Sequence, residues 1–245
     1  MNRSQINHLI KEAEAFYSSH QFHLPPWAFW TLDQWHQEAG TCQEIIQCGL
    51  GWDLTDFGSG DFSNRGLILF TLRNGIHSVA QSQSAIPSSP IGLKPYAEKI
   101  MIVQEQQETP FHYHWYKMED IINRGGGTLV FELAWAGEDD QLSAKPVTIS
   151  RDGQDQTFLP GDLVYLKPGQ SICLPPKLYH RFYALKGNGP VLCGEVSTVN
   201  DDQSDNRFLE PLGRFPAIEE DQPPYRLMVG DYKTYLSDGS TRGFR

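Results

Sequence analysis

The chain has 245 residues, 39% of them hydrophobic and 20% charged, which is enough apolar material for a real core and excludes a disordered protein. A formal charge of −10 makes nucleic acid and anionic membrane surfaces poor partners. No apolar run approaches the ~20 residues of a membrane span, and 22 Gly with 16 Pro suit a strand-and-turn protein better than a helical bundle.

The N-terminus goes straight into an amphipathic pattern with no signal-peptide character, which points to a cytoplasmic protein. Its four cysteines, Cys42, Cys48, Cys173 and Cys193, are then expected to be reduced. Cys173 and Cys193, set in apolar strand patterns, read as small core residues. Ile6, Leu9, Ile10, Ala13, Phe16 and Tyr17 recur at helical spacing behind Ser4, a candidate N-cap, and Pro25-Pro26 stops any continuation. A second short helix begins near Thr31 or Asp33 and carries Trp35. Residues 42–64 are rich in Gly and Asp and read as irregular structure around one strand.

Strands dominate from there. Residues 66–72 are apolar and end in Arg73-Asn74-Gly75, a tight-turn signal. Pro87, Pro90 and Pro95 mark 82–95 as a loop. Strands are predicted over 98–104, 128–135, 147–150, 156–159, 163–166, 171–174, 180–185 and 191–198. Asp152-Gly153 makes a hairpin of the third and fourth of these, and Pro168-Gly169 joins the next two. So many short strands favour a closed barrel or jelly roll. The expected organisation is a helical and irregular extension (1–65), a β-barrel (66–200) and a polar C-terminal wrapping segment (201–245), together one structural domain.

The chemistry concentrates in Thr109-Pro110-Phe111-His112-Tyr113-His114-Trp115-Tyr116-Lys117-Met118-Glu119-Asp120. Residues two apart on a strand face one side, so His112 and His114 point into one space, an arrangement that suits a divalent transition metal. Glu119 lies five residues past His114. An unbroken strand would turn Asp120 inward instead, so a bend or bulge must reset the phase if Glu119 is to join them. With 8 His in the chain, an H-x-H pair alone is weak evidence, since chance places one in roughly a quarter of such chains.

A second stretch strengthens it: Gly169-Gln170-Ser171-Ile172-Cys173-Leu174-Pro175-Pro176-Lys177-Leu178-Tyr179-His180. The two stretches together resemble the paired signatures of the cupin superfamily. His112, His114, Glu119 and Gly126 match the first; Gly169, Pro175 and His180 match the second. Lys177 stands where Gly is usual, and the Gly that usually precedes H-x-H is absent. The resemblance implies an all-β cupin-type double-stranded β-helix, a jelly-roll barrel with the N-terminal helices packed outside. It also implies a metal site of His112, His114, Glu119 and His180. Such a set leaves a divalent ion net positive charge and open positions for substrate oxygens.

Further runs flank these. Lys94-Pro95-Tyr96-Ala97-Glu98-Lys99 precedes the histidines, and the stretch from His114 to Gly127 follows them. Gly194-Glu195-Val196-Ser197-Thr198-Val199-Asn200-Asp201-Asp202 and Asp205-Asn206-Arg207 come after the barrel. Together they resemble the bacterial D-lyxose isomerases. That family implies reversible conversion of D-lyxose to D-xylulose, with D-mannose to D-fructose as a related reaction. It implies Mn2+ (Co2+, Fe2+, Ni2+ and Zn2+ being other candidates), a monosaccharide substrate and a homodimer.

Isomerisation through a metal-stabilised cis-enediol needs a base within reach of both C1 and C2. Glu195, on a strand predicted to line the barrel, is the first candidate for that base. Lys99 is the second catalytic candidate, able to polarise O1 or O5. Lys117, Arg124, Asp205 and Arg207 are candidates for substrate binding. Trp115, Tyr113 and Tyr179 can offer an apolar face to a sugar, though aromatics in a barrel more often serve as core. Gly125-Gly126-Gly127 lacks the following Lys-Ser/Thr pair and helix of a phosphate loop and reads as a tight turn. The same ligand set also suits an Fe(II)-dependent dioxygenase or a non-catalytic sugar-binding protein, because fold does not settle chemistry.

Overall fold

The structure, a computed structural model, describes residues 1–38, 40–80, 90–213 and 216–236. Helix α1 (Arg3–Ser19) buries Ile6, Ile10, Ala13 and Tyr17, which the 3.6-residue period places along one stripe. Its cap is Asn2, and Ser4 lies inside the first turn. The Ser4 backbone N–H and hydroxyl donate to the Asp221 carboxylate at 2.8 and 2.6 Å, so a distant aspartate satisfies the helix start. Helix α2 (Leu32–Glu38) follows Thr31, whose Oγ1 accepts from the Gln34 N–H, and it buries Trp35. Short helix α3 (Gln43–Gln47) precedes the first strand.

The strands in chain order are β1 (Gly51–Thr55), β2 (Leu67–Arg73), β3 (Tyr96–Val103), β4 (Thr109–Tyr113), β5 (Glu119–Gly126), β6 (Leu129–Trp135) and β7 (Val147–Arg151). They continue with β8 (Gln154–Phe158), β9 (Leu163–Leu166), β10 (Ser171–Leu174), β11 (Leu178–Ala184), β12 (Val191–Thr198) and β13 (Arg207–Phe208). Two antiparallel sheets form, ordered β1-β2-β3-β12-β5-β10-β7-β8 and β13-β4-β11-β6-β9. This is the expected jelly-roll barrel. Its sheets also take in β1 and β13, on either side of residues 66–200.

Between the sheets lies one apolar core, including Leu69, Met101, Ile121, Phe131, Val164 and Phe182. A second forms where α1 covers the outer face of the large sheet, pressing Ile6, Ile10 and Tyr17 on Ile68, Phe70, Ile100 and Ile102. Burial on both faces explains why β2 reads as a continuous apolar run rather than an alternation. Each of those helix side chains contributes roughly 1.5–3 kcal/mol by leaving water.

Several turns differ from expectation for local reasons. Asp152-Gly153 does form a hairpin, with both residues at positive φ (52° and 78°) as a type I′ turn demands. Residues 73–75 do not. β2 pairs with β3, but the chain between them is long, and most of the predicted 82–95 loop lies outside the described residues. Gly75 is needed for close approach, since a Cβ there would sit 1.8 Å from the Lys94 carbonyl oxygen. Asn74 is buried and exchanges hydrogen bonds with the Asn200 backbone. The Pro168-Gly169 turn links β9 and β10, but these strands belong to different sheets. Gly126 has φ 85°, and a Cβ there would meet the Pro190 carbonyl at 2.2 Å, so the glycine run is a tight turn. None of the four cysteines forms a disulfide among the described residues; Cys193 is core, whereas Cys173 is half-buried outside the core cluster. Burial and the neighbouring Asp120 push the Cys173 thiol up to about 11.

Candidate metal centre

Cross-strand pairing assembles the site. On the small sheet His112 of β4 lies opposite His180 of β11. On the large sheet Lys99 of β3 lies opposite Glu195 of β12. All four side chains are buried, so the two pairs face one another across the barrel interior. β4 ends at Tyr113 and β5 begins at Glu119 in the other sheet, and the intervening bend carries His114 and Lys117. That change of sheet is the phase reset the spacing required: Glu119 is buried and Asp120 exposed.

The imidazole nitrogens of His112, His114 and His180 lie within 4.8 Å of one another. Each ring is fixed through Nδ1: His112 to the Pro110 carbonyl at 2.8 Å, His114 to the Asp205 carbonyl at 2.6 Å, and His180 to the Leu178 carbonyl at 3.0 Å. A carbonyl only accepts, so Nδ1 carries the proton and Nε2 presents a lone pair. Among the described residues, the buried Nε2 atoms of His114 and His180 have no hydrogen-bond partner. Glu119 Oε1 stands 3.6 Å from His114 Nε2 and 3.0 Å from His180 Nε2. These are lone pairs facing lone pairs, which a cation between them would reconcile. Burial, then the two neighbouring histidines, hold His112 well below its ordinary pKa and therefore neutral. The three imidazoles form a site suited to a divalent metal ion.

Beside it runs a ladder of charges. Lys117 Nζ lies 2.7 Å from Glu119 Oε2 and 2.9 Å from Glu195 Oε1. Lys99 Nζ donates to Asn200 Oδ1 at 2.6 Å and lies 3.5 Å from Glu195 Oε1 and 3.9 Å from Asp202 Oδ1. Burial alone would push both glutamates up. Lys117 beside both, joined by Lys99 at Glu195, pulls them back down, so both stay anionic. Burial likewise opposes the Lys117 charge, and the two glutamates more than restore it.

These groups line a cavity of about 50 Å3, several times the roughly 10–15 Å3 one water needs. Its walls add Thr109, Asp202 and Asn206, and an apolar side that includes Leu69, Met101 and Phe208. Thr109 is 2% exposed, and its hydroxyl has no hydrogen-bond partner among the described residues.

Three of the predicted substrate-binding residues do not line the cavity. Arg124 is exposed on the outer face of β5, where its side chain lies over Gly194. Arg207 is partly exposed, with Nε 3.6 Å from Asp140 Oδ2. Asp205 is buried, but its carboxylate accepts the Tyr116 and Lys117 backbone N–H groups at 3.0 and 2.9 Å. Tyr113 and Tyr179 are fully buried in a separate cluster with Trp115, their hydroxyls donating to Asp140. Asn200, Asp202, Asn206 and Thr109 are the residues that sequence reasoning missed. The first three sit in the stretch just after β12, a readable position. Lys177 adopts φ 64°, the conformation for which glycine is usual at that place in the motif.

The family model for D-lyxose isomerase matches residues 1–232. A D-lyxose/D-mannose isomerase of Serratia proteamaculans is 47% identical over 238 residues, covering 97% of this chain and all of the relative. One from Escherichia coli O157:H7 is 46% identical over 236 residues, covering 96% of this chain and all of the relative. Among solved structures, L-ribose isomerases of Cellulomonas parahominis and Geodermatophilus obscurus superpose with TM-score 0.56, at 16% and 17% identity, over 89% of this chain and 98% of theirs. At that identity they speak for the fold. The whole-length family match and the two close relatives, added to the centre described above, make the chain a member of the D-lyxose isomerase family.

Proposed function

We propose that this protein is a metal-dependent aldose–ketose isomerase that interconverts D-lyxose and D-xylulose, and D-mannose and D-fructose, by proton transfer between C1 and C2. His112, His114, His180 and Glu119 would hold the ion, with Mn2+ the first candidate. A divalent ion there would supply positive charge where negative charge develops on the substrate. The single observation that carries the reading is a buried, ionised carboxylate, Glu195, lining the same cavity as the histidine cluster.

Glu195 takes the proton from the carbon next to the carbonyl and returns it to the neighbouring carbon. Lys117 keeps Glu195 anionic between turnovers and places its oxygen. Lys99, held by Asn200, stands beside Glu195 and polarises a substrate oxygen. The apolar wall limits the water around the carbanionic intermediate. Both lysines of the lining are already paired with carboxylates, which leaves neither for a phosphate group, and neutral monosaccharides fit better.

The test is an anaerobic assay of Mn2+-loaded protein against a panel of free aldoses, read out as ketose. The proposal expects ketose from D-lyxose and D-mannose without O2, loss of activity with EDTA and recovery with Mn2+. An absolute requirement for O2, or sugar binding without turnover, would overturn it.

A further inference from the structure

We infer that Asp205 is the positioning residue of the metal centre, a pin by which the turn at 201–206 sets the geometry of the ligand-bearing bend at 114–118. The inference deepens the proposed metal site and rests on that reading.

The bend is the least regular part of the site. It leaves one sheet at Tyr113 and enters the other at Glu119, and strand neighbours hold only its two ends, where the Lys177 N–H donates to the His114 carbonyl at 2.9 Å and the Thr198 N–H to the Met118 carbonyl at 3.0 Å. Asp205 supplies what those neighbours do not, at three points. Its backbone carbonyl accepts from His114 Nδ1 at 2.6 Å, which sets that ring's tautomer and aims Nε2 at the cluster. Its carboxylate accepts the Tyr116 N–H on Oδ1 at 3.0 Å and the Lys117 N–H on Oδ2 at 2.9 Å. Both oxygens are thus engaged by backbone, and the residue is only 6% exposed. Lys117 then reaches both Glu119 and Glu195.

The pin is itself anchored. Asp205 N–H donates to the Asp201 carbonyl at 3.0 Å, and the Asp201 carboxylate caps the Gln203 and Ser204 N–H groups. Immediately after it, β13 pairs Arg207 with Tyr113 and Phe208 with His112. The turn is therefore docked along the ligand strand, and the same turn contributes Asp202 and Asn206 to the cavity. An ordinary turn cap would stabilise the fold and nothing more. Asp205 instead touches a ligand ring and the backbone of the lysine that bridges ligand and base.

Asp205→Asn keeps the size but turns one acceptor into an amide donor that faces a backbone N–H. The readout is Mn2+ binding to the EDTA-stripped full chain by titration calorimetry, with thermal melting of the metal-free protein measured alongside. We expect the Mn2+ dissociation constant to rise at least tenfold, with a smaller fractional change in metal-free melting. Binding within twofold of the parent chain would overturn the inference, as would a loss confined to metal-free stability. If Asp205→Asn does not fold, Asp205→Glu serves, because it keeps the charge and moves it by one methylene. A rise of at least threefold is expected there, and unchanged affinity contradicts the inference. Failure of the parent chain to bind Mn2+ would instead defeat the metal site itself. Tight binding without isomerisation would defeat the proposed reaction and leave the pin standing.

Discussion

Two clusters built around buried cations in this molecule look alike in composition and differ in how fully they are satisfied. At the N-terminus, Arg3 is 0% exposed and forms four hydrogen bonds of 2.6–2.9 Å to the carboxylates of Glu220 and Asp231. Its planar fork matches both partners, and together they tie α1 to the C-terminal segment. In the barrel, Lys99, Lys117, Glu119 and Glu195 are nearly as deeply buried, but beside them the Nε2 atoms of His114 and His180 and the Thr109 hydroxyl have no hydrogen-bond partner among the described residues. A polar group left unpaired in the interior costs about 1–3 kcal/mol. The first cluster is complete by itself and does structural work. The second is complete only with something bound.

That contrast can be broken by substitution. The largest effect is expected at Glu195→Gln, which removes the base and keeps its shape. Turnover should fall by about 10^3–10^4, some 4–5.5 kcal/mol, with Mn2+ affinity and fold retained; steady-state kinetics and a binding titration check it. If activity stays near normal, the base lies elsewhere. Arg3→Ala should show the opposite profile. Leaving Asp231 buried without its cation should cost about 3–5 kcal/mol in denaturant melts, with the Mn2+ affinity of the folded fraction unchanged.

Thr109→Val sharpens the comparison, because it removes a hydroxyl that has no hydrogen-bond partner among the described residues. The sugar KM should rise by about tenfold, or ~1.4 kcal/mol, if a substrate hydroxyl is the missing partner. Metal-free stability should hold or improve. A drop in stability with an unchanged KM would make the hydroxyl structural. The smallest effect is expected at Lys177→Gly. Relief of the left-handed backbone, worth about 1–2 kcal/mol, is offset by glycine's entropy in the unfolded chain and by loss of the Lys177 contact over the Trp115 ring. Melting should move little in either direction.

How much of this was legible depends on whether a residue's direction is set locally. His112, His114, Glu119 and His180 follow from motif spacing, and the bend before Glu119 follows from strand parity. Parity also places Arg124 away from the cavity: Glu119, Ile121 and Asn123 face inward, so Arg124 faces out. The same rule turns Tyr113 and Tyr179 away from the cavity, next to inward His112 and His180. Asp205 and Arg207 are different. Their surroundings depend on where a tail docks, which no periodicity encodes. The pairing of Lys99 with Glu195 likewise depends on the register of strands nearly a hundred residues apart.

The most direct test of the account is pulsed electron paramagnetic resonance of the EDTA-stripped chain titrated with Mn2+. One ion per chain, with nitrogen couplings from three imidazoles that weaken in each of His112→Ala, His114→Ala and His180→Ala, is the predicted result. Absence of stoichiometric binding, or a nitrogen signal indifferent to all three substitutions, would contradict it.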